Sequence, residues 1–224
     1  MATIKTIPPP EETRDKLMIA AGEVFAEVGY QAATTREICA RAGANIAAVN
    51  YHFGDKLGLY TEMLKDAVLQ GENRMVDSTS TAKTPEEALR QFISKMFRKM
   101  SEGDRPAWYV KVMTHELAQP TPGLAAVVEN LIRPNAQILC GIVGKIIDRP
   151  ALHPQTRMCA HSIIGQVVHY MHARPVIGLL WPEWQMTPKS LEEIANHITD
   201  FSLAALQGVR KQPAGRQATM RRSK

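Results

Sequence analysis

Three positions between residues 35 and 53 constrain this chain more than any other feature. Cys39 is small, Gly43 follows four residues later, and Val49 comes six beyond that. Two short helices that cross closely need a small side chain at the crossing, a glycine in the turn and an apolar anchor on the second helix. Ile38 and Ala42 supply the rest of a small core. Thr34 or Thr35 can cap the first of these helices, and Asn45 can cap the second.

The surrounding sequence carries the same helical period. Leu17, Ala20, Ala21, Val24, Phe25 and Val28 recur at spacings of three and four, after a cap at Thr13 and before Gly29, which ends the helix. Gly54 and Asp55 separate the paired helices from a fourth, expected from Lys56 to about residue 75. Thr84-Pro85-Glu86-Glu87 reads as a cap, a first-turn proline and an acidic first turn. Further helices are expected over about 88–100, 104–118, 124–148, 154–174 and 190–209, with a kink or break near Arg133 caused by Pro134. The segment 175–188 reads as an unusually apolar loop. The expectation is an all-α protein without strands.

Composition limits the possible functions. The 224 residues suffice for one large or two small domains. No apolar run approaches the roughly 18–20 residues of a membrane span. The start lacks a hydrophobic leader, and Cys39, Cys140 and Cys159 have no metal-type spacing, so a cytoplasmic setting is expected. The net charge of +5 is local: residues 210–224 hold six basic side chains and no acid, and without them 21 basic residues face 22 acidic ones. Charge alone therefore does not mark a nucleic-acid binder. There is no phosphate loop, no HExxH and no nucleophile motif, so no enzyme and no cofactor is indicated. His161, His169 and His172 lack an accompanying acid on their helix, which speaks against a metal site.

The segment NIAAVNYHFGDK, residues 45–56, places Asn50, Tyr51 and His52 in a row on a helix too short to bury a core. The second helix of such a pair can lie in the major groove of DNA. The stretch TTREICARAGANIAAVNYHFGDKLGLY, residues 34–60, resembles the DNA-binding domain of the TetR family of bacterial regulators. NIAAVNYHFG and FRKMSEGDRPAWYVKVMTHELAQPTPGL are similar to a CecR-like subgroup, in which Asn stands where many relatives have Tyr.

The resemblance implies a three-helix headpiece at 13–60, a helical ligand-binding and dimerisation domain at 61–209, a loose arm at 1–12 and a basic tail at 210–224. It implies that Asn50 pairs with adenine or holds a phosphate. Tyr51 and His52 donate to phosphates, while Ile46, Ala47 and Ala48 meet thymine methyls or let the backbone come close. Thr35, Arg36, Asn45 and Lys56 sit at helix starts, where phosphates are favoured. Thr35 and Asn45 can equally be plain caps, Tyr51 a brace and Lys56 a solvated lysine.

The second half is expected to take a small effector. Phe92, Met96, Met100, Trp108 and Met113 suit an apolar wall, with His115 or Arg133 as its polar end, although such stripes also build ordinary cores. Val168, Leu191, Ile194, Ile198 and Phe201 are expected at a homodimer interface. The function expected is a repressor bound as a dimer to a palindromic double-stranded operator and released by a small apolar or aromatic molecule. Control by a protein partner is the alternative.

Overall fold

The computed structural model describes residues 10–69, 81–101, 108–185 and 187–212, and among these every regular element is helical. Residues 1–9 of the expected arm, most of the polar stretch at 77–83 and most of the basic tail lie outside the described residues, whereas residues 10–12 of that arm are helical. The chain divides into two compact units. One comprises Met1–Asn73 with Glu102–Arg133, the other Arg74–Ser101 with Pro134–Lys224.

The first unit contains α1 (Pro10–Ala32), α2 (Thr35–Ala42), α3 (Ile46–Phe53) and α4 (Lys56–Leu69). It also contains α6 (Tyr109–Ala118), α7 (Leu124–Val127) and a π-helical turn, Val128–Ile132. Thus α6 and α7 pack with the headpiece helices, rather than in a separate domain beginning at residue 61. Helix α1 starts at Pro10, before the expected cap at Thr13. Its helical backbone is interrupted at Gly29 (φ 77°, ψ 167°), a region closed to side-chain-bearing residues. Leu17, Ala21, Val24 and Phe25 of α1 meet Leu59, Tyr60, Met63 and Leu64 of α4 in one core that Val112 and Val127 complete. Each fully buried Leu, Val, Phe or Met among them contributes about 1.5–3 kcal/mol.

The second unit contains α5 (Pro85–Ser101), α8 (Arg133–Ile147), α9 (Pro154–His172), α10 (Arg174–Leu180) and α11 (Pro188–Arg210). The start of α5 follows its sequence: the Thr84 hydroxyl accepts from the Glu87 amide at 3.1 Å, and the Glu87 carboxylate accepts from the Lys83 amide at 2.7 Å. The stripes of α5 and α11 pack together in a core that includes Leu89, Phe92, Ile93, Ile194 and Ile198. Arg90 fastens the rim of this pair, donating to Asn196 at 3.0 Å and Asp200 at 2.6 Å.

Three expectations change here. Pro134 does not break the chain: the π-helical turn leads directly into α8, and a widened turn accommodates a residue that lacks an amide hydrogen. The apolar segment after α9 is not all loop, because Arg174–Leu180 forms helix α10. Leu191, Ile194 and Ile198 are buried in their own unit, at 5%, 2% and 0% exposure, and so cannot be the surface offered to a second subunit. Phe201, at 59% exposure, points out of the same helix, and Val168 is half-buried.

Candidate nucleic-acid interface

Local signals fix the two short helices. The Thr34 hydroxyl, rather than that of Thr35, caps α2 by accepting from the Glu37 amide at 3.2 Å. Gly43 turns the chain in the left-handed region (φ 65°), and the Ala44 amide bonds back to the Cys39 carbonyl at 2.9 Å. Asn45 then caps α3, its side-chain oxygen accepting from the Ala48 amide at 2.9 Å. Ile38, Cys39 and Val49 are buried together, as the spacing of these positions required.

Only Val49 of the eight residues of α3 is buried, so the rest of the helix is left for display. Ile46, Ala47, Asn50 and Tyr51 are exposed at successive turns and form one outward face. Tyr51 is 80% exposed and Ile46 50% exposed. His52 and Ala48 are half-buried on the flanks, and the His52 ring lies 4.9 Å from Tyr51, edge to face. Phe53 turns inward beneath the Arg14 guanidinium, 5.6 Å from the ring centre. On α2, Arg36 is exposed and Thr35 half-buried.

Other polar groups are already committed. Lys56 donates to the carbonyls of Tyr30 at 2.9 Å and Ala33 at 3.0 Å, with its ammonium 4.5 Å above the Tyr30 ring. It thereby caps the end of α1, where unpaired carbonyls favour a cation. A phosphate can call only on its third hydrogen. The start of α4 is itself capped by Asp55, which accepts from the Gly58 amide at 2.7 Å and sets a carboxylate where an anion was expected. Asn45 keeps only its amide NH2 free of the cap. Arg41 is bidentate with Glu27 at 2.7 and 2.8 Å, and this pairing lowers the carboxyl of Glu27 and raises the guanidinium of Arg41. Sequence reasoning missed the Lys56 and Asp55 ties. The signal for Asp55 was available in Gly54-Asp55 before a helical run; that for Lys56 was not, because its partners are 23 and 26 residues away.

The residues expected at an effector site fall in both units. Phe92 is fully buried and Met96 partly buried in the core of the second. The side chain of Met100 lies outside the described residues. In the first unit, Met113 is partly buried and Trp108 covers Gly22, where an added Cβ would overlap the indole. Arg133 is exposed and bidentate with Glu129 at 2.6 and 2.8 Å on the same helical surface. The ring of His115 lies beside Gly29, next to a cavity of about 10 Å³ lined by Tyr30, Tyr60, Glu116 and Thr121. That is room for about one water, and none for an organic effector.

Burial pushes the Cys39, Cys140 and Cys159 thiols up, which disfavours their thiolate forms. No group of three or more His, Cys, Asp or Glu side chains among the described residues is placed to hold a metal. No helix among them is long and apolar enough to cross a membrane.

Comparison with known proteins agrees with this geometry. Residues 17–63 match the family described as "Bacterial regulatory proteins, tetR family", and residues 85–206 match "HTH-type transcriptional dual regulator CecR, C-terminal domain". The chain is 27% identical to the HTH-type transcriptional dual regulator CecR of Shigella flexneri, over 89% of this chain and 93% of that one. It is 35% identical to the transcriptional activator FasR of Mycolicibacterium smegmatis over 43% of this chain and 48% of that one. Among solved structures, the regulator FadR of Bacillus subtilis, determined with stearoyl-CoA, aligns with a TM-score of 0.63 and 20% identity over 85% of this chain and 97% of that one. Its identity is low enough that it speaks for the fold alone. With a displayed α3, a two-part family match and relatives that regulate transcription rather than catalyse reactions, the chain belongs to the TetR family of DNA-binding transcriptional regulators, in the CecR-like subgroup.

Proposed function

We propose that the protein is a cytoplasmic homodimeric repressor that reads a palindromic operator and releases it on binding a small apolar or aromatic effector. The single observation that carries the DNA half is the outward face of α3, where Ile46, Ala47, Asn50 and Tyr51 are exposed over one buried anchor. Asn50 reads a base edge, Ile46 and Ala47 meet thymine methyls, and Tyr51 and His52 hold phosphates. Arg36, Thr35 and the free donors of Asn45 and Lys56 add phosphate contacts on either side, while Ala48 lets the backbone approach.

The dimer face is the outer side of α9 and α11. Phe201 is exposed there, and Gly165, Ala204, Ala205 and Gly208, also exposed, allow a close approach of helices. An effector is what the family leads one to expect; FadR, which shares the fold, was solved with stearoyl-CoA. Met96 and Met113, both partly buried, are walls able to adapt to such a molecule.

Selection of duplexes from a random pool tests the reading. A two-fold site with half-sites about one helical turn apart is expected. Sequences without dyad symmetry overturn the dimeric mode, and recovery of none overturns operator binding. A library of aromatic and acyl compounds then tests release; if none releases the DNA, control by a protein partner replaces the effector.

A further inference from the structure

Glu116 of α6 is fully buried, and none of the ion pairs among the described residues includes it. Its side chain is satisfied by hydrogen bonds instead. One carboxylate oxygen accepts from the Tyr60 hydroxyl at 2.6 Å, and the other accepts from the Thr121 amide and hydroxyl, each at 2.9 Å. A buried carboxylate without a cation is tolerated only while its lone pairs are filled. Thr121 lies three residues beyond the end of α6, in the turn that leads into α7. Tyr60 is the donor that comes from α4, 56 residues away in the chain. Burial, and then the Glu116 bond, push the Tyr60 phenol far above its ordinary range, so it remains a donor.

This bond sits at the end of a contact series that reaches α3. The Tyr60 ring packs on Phe25 at 4.7 Å and on Tyr30 at 4.9 Å between centres. Tyr30 carries the ammonium of Lys56, the first residue of α4. One turn into α4, Gly58 lies against the Phe53 carbonyl so closely that a Cβ would overlap it. The last turn of α3 is therefore fixed to the first turn of α4, and a buried hydrogen bond from Tyr60 to Glu116 joins α4 to α6. Such a bond is strong when made and costly when half-broken, so it favours discrete arrangements over gradual sliding.

We propose that the Tyr60–Glu116 bond is the joint through which the state of α6 and the binding of DNA at α3 influence each other, with Glu116 as a positioning residue. This rests on the DNA-binding reading above. Thermodynamic reciprocity gives a test that needs no effector: if α6 biases DNA binding, DNA must bias α6.

The experiment follows hydrogen exchange of the α6 amides in the full-length protein, with and without a duplex recovered by selection. In the unmodified protein the duplex should change α6 exchange by about fivefold or more, the lower end of coupling between sites. Tyr60→Phe removes one oxygen and touches no DNA-facing residue; it should bind the duplex while α6 no longer responds. Thr121→Val removes a donor from the same carboxylate but leaves the α4 bond, and its α6 response should persist, which a merely structural role would not predict. Should Tyr60→Phe fail to bind, Glu116→Leu, which removes both acceptor oxygens, is measured in the same way and the loss of response is again expected. A response that survives loss of the bond, or an α6 that ignores bound duplex in the unmodified protein, overturns the joint alone. Failure to recover any duplex overturns the DNA-binding reading and the joint with it.

Discussion

Helices α3 and α11 use their side chains in opposite ways. The eight residues of α3 bury one side chain, Val49. The 23 residues of α11 bury eight, among them Leu191, Ile194, Ile198 and Leu206. A helix with a single anchor cannot be held by its own packing, so its caps and turns fix it: Asn45 at one end, Gly54 at the other, and the Gly43 turn before it. A helix with eight anchors is held by its core and can spend its remaining face elsewhere. The first arrangement presents chemistry; the second supports it.

Four substitutions test that contrast, beginning with the largest effect. Ile198→Ala should cost about 2–5 kcal/mol of unfolding free energy, as deletion of a buried branched side chain does. Denaturant titration should give the same loss at every protein concentration, because Ile198 fills its own subunit. A loss that fades at high concentration would return Ile198 to an interface between copies. Lys56→Met should cost about 1.5–3 kcal/mol of stability, the scale of hydrogen bonds to a charged group, and should also weaken DNA binding by the loss of one phosphate contact. If instead stability is unchanged and the salt slope of binding falls by about one, Lys56 serves a phosphate and not the end of α1.

Asn50→Ala should leave the melting curve in place and cost about 1–3 kcal/mol in operator affinity, with preference relaxed at one position. Equal loss on every sequence would make Asn50 a phosphate contact. Thr34→Ala should cost about 1 kcal/mol of stability through the lost cap of α2. Its DNA affinity should follow that loss and nothing more; a larger drop would mean that Thr34 itself touches the operator.

The same contrast explains what the sequence could convey. The headpiece was legible because its determinants are local: Cys39, Gly43, Asn45 and Val49 act within a dozen residues, and each has one physical reason to be there. Membership in the family followed from those residues. The face of α11 was legible too, but not its neighbour. A stripe of Leu191, Ile194 and Ile198 states that something apolar covers it, and the period is identical whether that cover is α5 of the same chain or a second subunit. The grouping of α6 with the headpiece was hidden for a related reason. It depends on Trp108 over Gly22 and on Glu116 against Tyr60, pairs separated by 86 and 56 residues that no local pattern announces. The π-helical turn before Pro134 was missed because the sequence shows that a proline disturbs a helix but not which way the backbone yields.

The Lys56 ammonium, committed to two carbonyls beneath an aromatic ring, also has a consequence for chemical labelling. Acylating reagents attack amines that are presented to solvent. Lys189, with 87% of its side chain exposed, should be modified at once. Lys56 should be acylated only in molecules whose α1 and α4 have come apart. The mass added at that one lysine then becomes a clock for headpiece opening, read from the intact protein without a probe attached to it.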